Sequence, residues 1–191
     1  MATWTSGIDS FKSALEYGGA RPSLFEFSIN AQSSGTVPAG LSDMKLYCNV
    51  SALPPLTVTP IERQYFGRTV KIPGDMVFGD LSTTVIQTEA GTERAGIETW
   101  MQKINSHVEN VRDTSFGPEM GTEWSTGTLT QYDKAGTKIL EVEFTGLWPT
   151  TIAEIPLSYD TMSDIEQFDV TWAYQYYNIE GSANITAFPS Q

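Results

Sequence analysis

Residues 146–177 read GLWPTTIAEIPLSYDTMSDIEQFDVTWAYQYY, and the second half of this stretch alternates between two kinds of side chain. One parity is polar or small, and the other, mainly aromatic or branched, comprises Glu166, Phe168, Val170, Trp172, Tyr174 and Tyr176. A period of two over roughly a dozen residues predicts one strand about twice the usual length of 5–6 residues. A long strand with one aromatic and one polar face is typical of the wall of a barrel or tube.

The bulk composition predicts one domain with its own core. The chain has 191 residues, of which 40% are hydrophobic and 12% aromatic, and a chain of about 150 residues already buries about 68–70% of its unfolded surface. Cys48 is the one cysteine and shares its parity with Met44, Leu46 and Val50, so we expect a buried strand thiol rather than a nucleophile. A single cysteine cannot form an internal disulfide, which fits assembly in a reducing cytoplasm.

Neither a signal peptide nor a membrane anchor is expected from the sequence. The first residues, MATWTSGIDSFK, lack the basic-then-apolar order of a signal peptide. No apolar run approaches the roughly 18 residues that span a bilayer.

The charge balance limits the possible partners. The chain has 11 Lys+Arg against 23 Asp+Glu, a net charge of −12. Such a surface repels phosphates and excludes a DNA-binding protein of the usual kind, because it releases no counterions by neutralising them. An acidic wall along which DNA slides without sticking is compatible with this charge. The alternative is that the acidity only keeps the protein dispersed.

The remaining patterns predict a mainly β chain with two helices. A capping box at Ser6 starts a short N-terminal helix that stops at Gly18-Gly19. Thr92 is predicted to cap a second helix, whose apolar stripe comprises Ile97, Trp100, Met101, Ile104 and Val108. Strands are predicted over residues 24–31, 44–51, 81–88, 125–133 and 137–145, the last two as a hairpin, with loops over residues 32–42 and 110–124.

Residues 57–72 form a predicted hairpin that turns near Tyr65-Phe66-Gly67-Arg68. The segment carries Arg63, Arg68 and Lys71, three of the 11 basic residues in an otherwise acidic chain. Two interpretations are open. The segment is either an ordinary solvated hairpin or an arm that docks onto an acidic neighbour.

No residue pattern indicates a catalytic or metal site. His107 is the one histidine and is expected to serve packing or the surface of the second helix. One His and one Cys cannot supply a common zinc set, and neither a nucleophile elbow nor a P-loop is present. Glu141 and Glu143 are the best enzyme candidates, but paired glycosidase carboxylates usually lie on opposite sides of a cleft. We therefore expect a protein that is not an enzyme and that has no metal or cofactor.

Short blocks of sequence, taken in order, carry a resemblance to a known family. They are ARPSLF (20–25), ALP (52–54), GDMVFGDL (74–81), TTV (83–85), GLWPT (146–150) and QFDVT (167–171). In this order they resemble the tail tube proteins of contractile-tailed, myovirus-type bacteriophages over residues 11–177. The GLWPT block and the strand after it are the most specific parts.

The resemblance implies two packed antiparallel sheets in a β-barrel-like tail tube fold, with one flanking helix and the short N-terminal helix. Six copies would form a ring, and stacked rings would form the tail tube, a passive conduit for the genome. The haemolysin-coregulated tube proteins of type VI secretion are related. Independently of the resemblance, closing a ring would remove the open edges of long strands.

The resemblance also implies partners and a location. The partners are further copies of the chain, the tail sheath protein, baseplate proteins that initiate the tube, the tail terminator, and the tape measure protein and DNA in the lumen without specific binding. The location is the virion tail, after assembly in the cytoplasm of a bacterial host. Two alternatives stay open, the tube of a type VI secretion system and that of a contractile bacteriocin.

Within the family pattern, residues 1–178 are expected to form a single tail tube domain. Residues 57–72 match the position of a stacking arm, so the resemblance implies contacts between subunits and rings for Arg63, Tyr65, Phe66, Arg68 and Lys71. Acidic and polar strand faces suit a water-filled lumen, and the candidates for it are Glu141, Glu143 and Asp169, with Glu166 as a further one. The loop over residues 32–42 is longer than expected for the family, and residues 179–191 form an extended tail beyond its usual end.

Overall fold

The computed structural model describes residues 11–12, 15, 19–30, 41, 44–111, 125–160 and 164–181. Across these ranges nine strands and two helices are present, so the predicted mainly β class is confirmed. The elements are β1 Phe25–Asn30, α1 Met44–Tyr47, β2 Cys48–Ser51, β3 Leu56–Tyr65, β4 Arg68–Phe78, β5 Leu81–Ile86, α2 Thr92–Ile104, β6 Ser125–Tyr132, β7 Lys138–Ile152, β8 Gln167–Ala173 and β9 Tyr176–Gly181. Of the predicted N-terminal helix, Phe11 and Lys12 are helical and most other residues lie outside the described ranges.

The two packed antiparallel sheets share strand β7. Its first half pairs with β6 and β9, and its second half pairs with β8. Between the halves Gly146 has φ 71, a left-handed conformation that glycine adopts without a steric penalty. Sheet I has the strand order β1-β6-β7-β9, and sheet II has the order β2-β5-β8-β7.

The core fills the space between the inner faces of the two sheets and α2. Trp172 of β8 is fully buried at its centre, with ring centroids 6.1 Å from Phe27 of β1 and 5.8 Å from Trp100 of α2. Its indole Nε1 donates a hydrogen bond of 2.8 Å to Thr83 Oγ1. One side chain therefore ties both sheets to the helix, and the alternation in 168–172 is confirmed as a buried face.

The single long strand predicted over residues 166–176 is wrong. Strand β8 ends at Ala173 and β9 starts at Tyr176, because the chain leaves sheet II here and joins sheet I. After this crossing, the odd-numbered rather than the even-numbered residues of the alternating stretch face the core. Tyr176 is exposed, whereas Tyr177 packs against the core.

Two smaller predictions are also corrected. Residues 44–47 are a helical turn rather than the start of a strand, so Leu46 and Val50 are exposed instead of sharing a buried face. The thiol of Cys48 is half-buried, and this burial raises its pKa from 9.0 to about 12, as expected of an unreactive cysteine. Helix α2 ends at Ile104, which leaves Val108 exposed and outside its stripe.

Helix α2 does not start with a threonine cap. Its N-cap is Gly91, at φ 68, and no side chain caps the helix. The Glu93 side chain instead accepts hydrogen bonds from Thr88, in the turn before the helix. Glu93 is 1% exposed, and its carboxylate accepts hydrogen bonds from the Thr88 N–H (3.1 Å), the Thr88 hydroxyl (2.9 Å) and the Thr92 hydroxyl (3.1 Å). Burial alone would raise the pKa of Glu93, but these donors and the backbone N–H of Glu93 outweigh it and lower the pKa.

We expect Glu93→Ala to destabilise the fold by about 1–3 kcal/mol, because the partly buried N–H and hydroxyl donors of Thr88 lose a charged acceptor. Thermal unfolding should register this as a fall of about 2–4 °C per kcal/mol. Glu93→Gln, which keeps the shape, separates the charge from the packing. Because the folded pKa is lowered, the charge contribution is complete above the unfolded value of about 4.3 and is lost as the pH falls through the folded value. An equal gap between wild type and Glu93→Gln at pH 7 and pH 3 would contradict this assignment.

Candidate assembly surfaces

Strands β3 and β4 form a hairpin that pairs with no other strand of the described chain; we call residues 56–78 the arm. Phe66 (φ 44) and Gly67 (φ 77) make the two-residue turn, as in type I′ hairpins. All of β3 is exposed, and in β4 only Gly74 and Phe78 are half-buried. The predicted turn position is correct, and the hairpin is longer than the predicted residues 57–72. Its ten-residue strand β3 would extend about 33 Å.

The outer half of the arm has two unlike faces. On one face Lys71 Nζ lies 3.4 Å from Glu62, and Gln64 donates a 2.9 Å hydrogen bond to Thr69. The other face, which we call the docking face, comprises Ile61, Arg63, Tyr65, Arg68, Val70 and Ile72. Neither of its arginines takes part in an ion pair with a described residue. The structure therefore separates Lys71 from the two arginines with which the sequence grouped it.

Aromatic side chains fix the root of the arm to the body. Phe78, at the end of β4, has its ring centroid 6.2 Å from Tyr174 and 5.4 Å from Tyr177, and both tyrosines also contact Phe144. The Tyr174 hydroxyl donates to the Gly79 carbonyl at 2.5 Å, and burial raises the pKa of Tyr174 to about 12, so this donor stays protonated. The arm thus starts from the point where the chain passes from β8 to β9.

The outer face of sheet I is polar and acidic. Two rows of paired residues cross its four strands, namely Ser28–Thr128–Glu143–Asn178 and Glu26–Thr130–Glu141–Glu180. Lys138 Nζ donates to both Glu141 oxygens at 2.9 and 3.0 Å, and this hydrogen bonding raises the lysine pKa. At its two sides sheet I ends in the edge strands β1 and β9.

The predicted lumen residues do not share one surface. Glu141 and Glu143 lie together on sheet I, whereas Asp169 lies on the outer face of sheet II, where it accepts a 2.6 Å hydrogen bond from Thr84. Glu166 precedes β8, and its backbone carbonyl accepts from the Gln87 N–H at 2.9 Å. The outer faces of two packed sheets point in opposite directions, so Asp169 lies on a different surface from Glu141 and Glu143.

The structure does not place the enzyme candidates Glu141 and Glu143 in an arrangement suited to catalysis. Glu141 and Glu143 lie on the open face of a sheet rather than across a cleft, and His107 is exposed beyond the end of α2. In the part of the chain that the structure describes, no three His, Cys, Asp or Glu side chains are grouped so as to hold a metal. A helix long and apolar enough to cross a membrane is likewise absent from the described residues.

The sequence reading missed one exposed surface, which we call the acidic segment: residues 153–160 and 164–166. Leu157 is 81% and Tyr159 97% exposed, and Ile165 is also exposed. The acids of the segment are Glu154, Asp160, Asp164 and Glu166, all exposed. The sequence did contain a signal for this acidic surface, because no lysine or arginine follows Lys138.

Sequence comparison matches this chain to phage tube proteins. The profile of the family described as phage tail tube protein matches residues 20–180. The tail tube protein gp19 of Enterobacteria phage T4 is 28% identical over 181 residues, which cover 89% of this chain and 98% of the relative. The tail tube protein gp19 of Enterobacteria phage T6 is 29% identical over 172 residues, with the same shares covered.

Solved structures match the fold. In the sheath–tube complex of an extracellular contractile injection system in the extended state, one chain has a TM-score of 0.60 at 17% identity, over 93% of this chain and 100% of that chain. A crystal structure of an Hcp protein has a TM-score of 0.50 at 14% identity, over 86% of this chain and 97% of that chain. At these identities the likeness concerns the fold alone.

Proposed function

Because this chain belongs to the phage tail tube protein family, we propose that six copies form a ring and that the rings stack into the tube of a contractile tail. The tube is a passive conduit through which the genome leaves the virion. The role is structural, and no catalytic step is assigned to the chain. The family predicted from the GLWPT and QFDVT blocks is confirmed by the profile match.

The observation that carries this proposal is the form of sheet I. It has four antiparallel strands, so that β1 and β9, its two edges, run in opposite directions. Rotation about a tube axis preserves the direction of every strand. Strand β9 of one copy would therefore lie antiparallel to β1 of the next copy, and pairing all around the ring would remove every open edge of this sheet.

The polar outer face of sheet I would then line the lumen. Glu26, Glu141, Glu143 and Glu180 on this face would repel DNA phosphates, so that DNA passes without specific binding. Asp169, on sheet II, would face away from the channel. Sheet II and its outer face would be available to the tail sheath protein.

The remaining partners follow from the same assembly. We assign baseplate tube-initiator proteins to one end, the tail terminator to the other, and the tape measure protein to the lumen. The tube would assemble in the bacterial host cytoplasm and become part of the virion tail. A secretion or bacteriocin tube is the alternative, and the matches to two phage tail tube proteins at 28% and 29% identity favour the phage tail.

Electron microscopy of the purified chain tests this proposal. We expect hollow rings or tubes in negative stain at raised protein concentration, at low and high salt, and a cryo-reconstruction with the Glu141 and Glu143 face towards the channel. A channel lined by the sheet II face around Asp169, or a basic channel, would overturn the lumen assignment. Compact monomers under every condition would count against the tube itself.

A further inference from the structure

We infer that the docking face of the arm binds the acidic segment of a second copy in the next ring. This inference rests on the proposed function, because it names the two surfaces that join successive rings. The partner is another copy of the same chain, and the contact is head to tail.

The docking face pairs with no other strand, and its arginines form no ion pair, among the residues that the structure describes. It combines exposed apolar side chains, Ile61, Val70 and Ile72, with the two arginines Arg63 and Arg68. At its tip the rings of Tyr65 and Phe66 lie edge to face, 4.6 Å apart, and Phe66 is 91% exposed. A surface that is both apolar and cationic fits a partner that is both apolar and anionic.

The acidic segment has the complementary composition. Leu157, Tyr159 and Ile165 supply the apolar contacts, and the four segment acids supply the charge. None of these acids is in an ion pair with a described residue. A neighbouring cation, Arg94, is occupied by Glu98 at 2.9 Å and by the Ala153 carbonyl at 2.9 Å.

The root of the arm and the acidic segment lie at opposite ends of sheet II. The arm joins β5 at Leu81, which pairs with Trp172, whereas the acidic segment precedes Gln167, which pairs with Ile86. The other end of the segment is held beside the same region, because the Ala153 N–H donates to the Asp169 carbonyl at 2.8 Å. The arm is thus rooted at one end of sheet II and its proposed acceptor lies at the other end, an arrangement that suits a head-to-tail contact between copies.

A charge-swap series in the full chain tests the contact. The first variant is Arg63→Glu with Arg68→Glu, the second is Asp160→Lys with Asp164→Lys, and the third combines all four changes. The matched control, Lys45→Glu with Lys103→Glu, makes the same total change of charge as the first variant at positions outside both the arm and the acidic segment. Tubes are measured by ultracentrifugal pelleting, rings by negative-stain microscopy, and folding by circular dichroism.

We expect the first two variants to fold and form single rings while pelleted tube mass falls at least about tenfold, since facing like charges weaken an interface by that much or more. The combined variant should recover most of the tube mass, and the control should resemble wild type. Normal tubes from the first variant, or no recovery in the combined variant, would overturn the inference. So would an acidic-segment variant that stacks normally but loses sheath binding, because the sheath would then occupy the segment. Failure of the wild-type chain to form rings or tubes would instead count against the proposed function.

Discussion

Trp172→Ala is expected to destabilise the fold by about 3–5 kcal/mol, the cost of removing a large aromatic side chain from a packed core. Trp172 is fully buried, and its ring contacts Phe27 from sheet I and Trp100 from α2. Thr83 is only 1% exposed, and the substitution removes the indole N–H that donates a hydrogen bond to its hydroxyl. Thermal unfolding should show a fall of about 6–20 °C, at about 2–4 °C per kcal/mol for a chain of this size.

Trp172→Phe is the matched control, because it keeps an aromatic ring in the core but replaces the bicyclic indole by a smaller single ring and removes the hydrogen bond to Thr83. Its loss should be clearly smaller than that of alanine. A fall of less than about 3 °C for Trp172→Ala, outside the range expected for a buried aromatic residue, would show that this side chain does not hold the two sheets together.

Gly146→Val is expected to have an effect of similar size, about 2–5 kcal/mol. At φ 71 a β-branched residue meets the left-handed penalty of about 1–2 kcal/mol, and because Gly146 is buried the added atoms overpack the core by about a further 1–3 kcal/mol. Since β7 passes from sheet I to sheet II at this residue, we expect the variant to lose ring formation together with stability. Chemical denaturation and negative-stain microscopy measure the two effects.

Gly67 provides the control for Gly146. It has a similar φ of 77, but a Cβ built on it meets no atom within 4 Å. Gly67→Val therefore incurs only the backbone penalty, and the difference between the two variants isolates the packing at the bend of β7. Equal losses at both positions would mean that Gly146 contributes only its backbone freedom.

Local periodicity predicted the elements that depend on neighbouring residues alone. The alternation of Phe168, Val170 and Trp172 identified a buried strand face, and the Tyr65–Arg68 turn identified the hairpin. The stripe of Ile97 and Trp100 identified the buried side of α2. These patterns succeed because a strand or helix period is set by the chain itself. The family resemblance, carried by ordered blocks rather than by period, added the tube fold.

Periodicity could not predict where the chain changes sheet. In the sequence, the period of two continues from Phe168 to Tyr176. In the structure, β8 pairs in sheet II and β9 pairs in sheet I. After this change of sheet, Tyr177 rather than Tyr176 packs against the core. The same applies to Gly146, because a change of partner strand leaves no repeat in the sequence.

The sequence by itself therefore determined the mainly β class, the acidic charge, the hairpin and the family. Only the tertiary structure decided which side chains share a surface. It joined Glu141 and Glu143 but placed Asp169 on the other sheet, and it separated Lys71 from Arg63 and Arg68 across the arm. The physical reason is that a side chain's face depends on the register with a partner strand and on each bend between sheets, which are contacts between residues far apart in the chain.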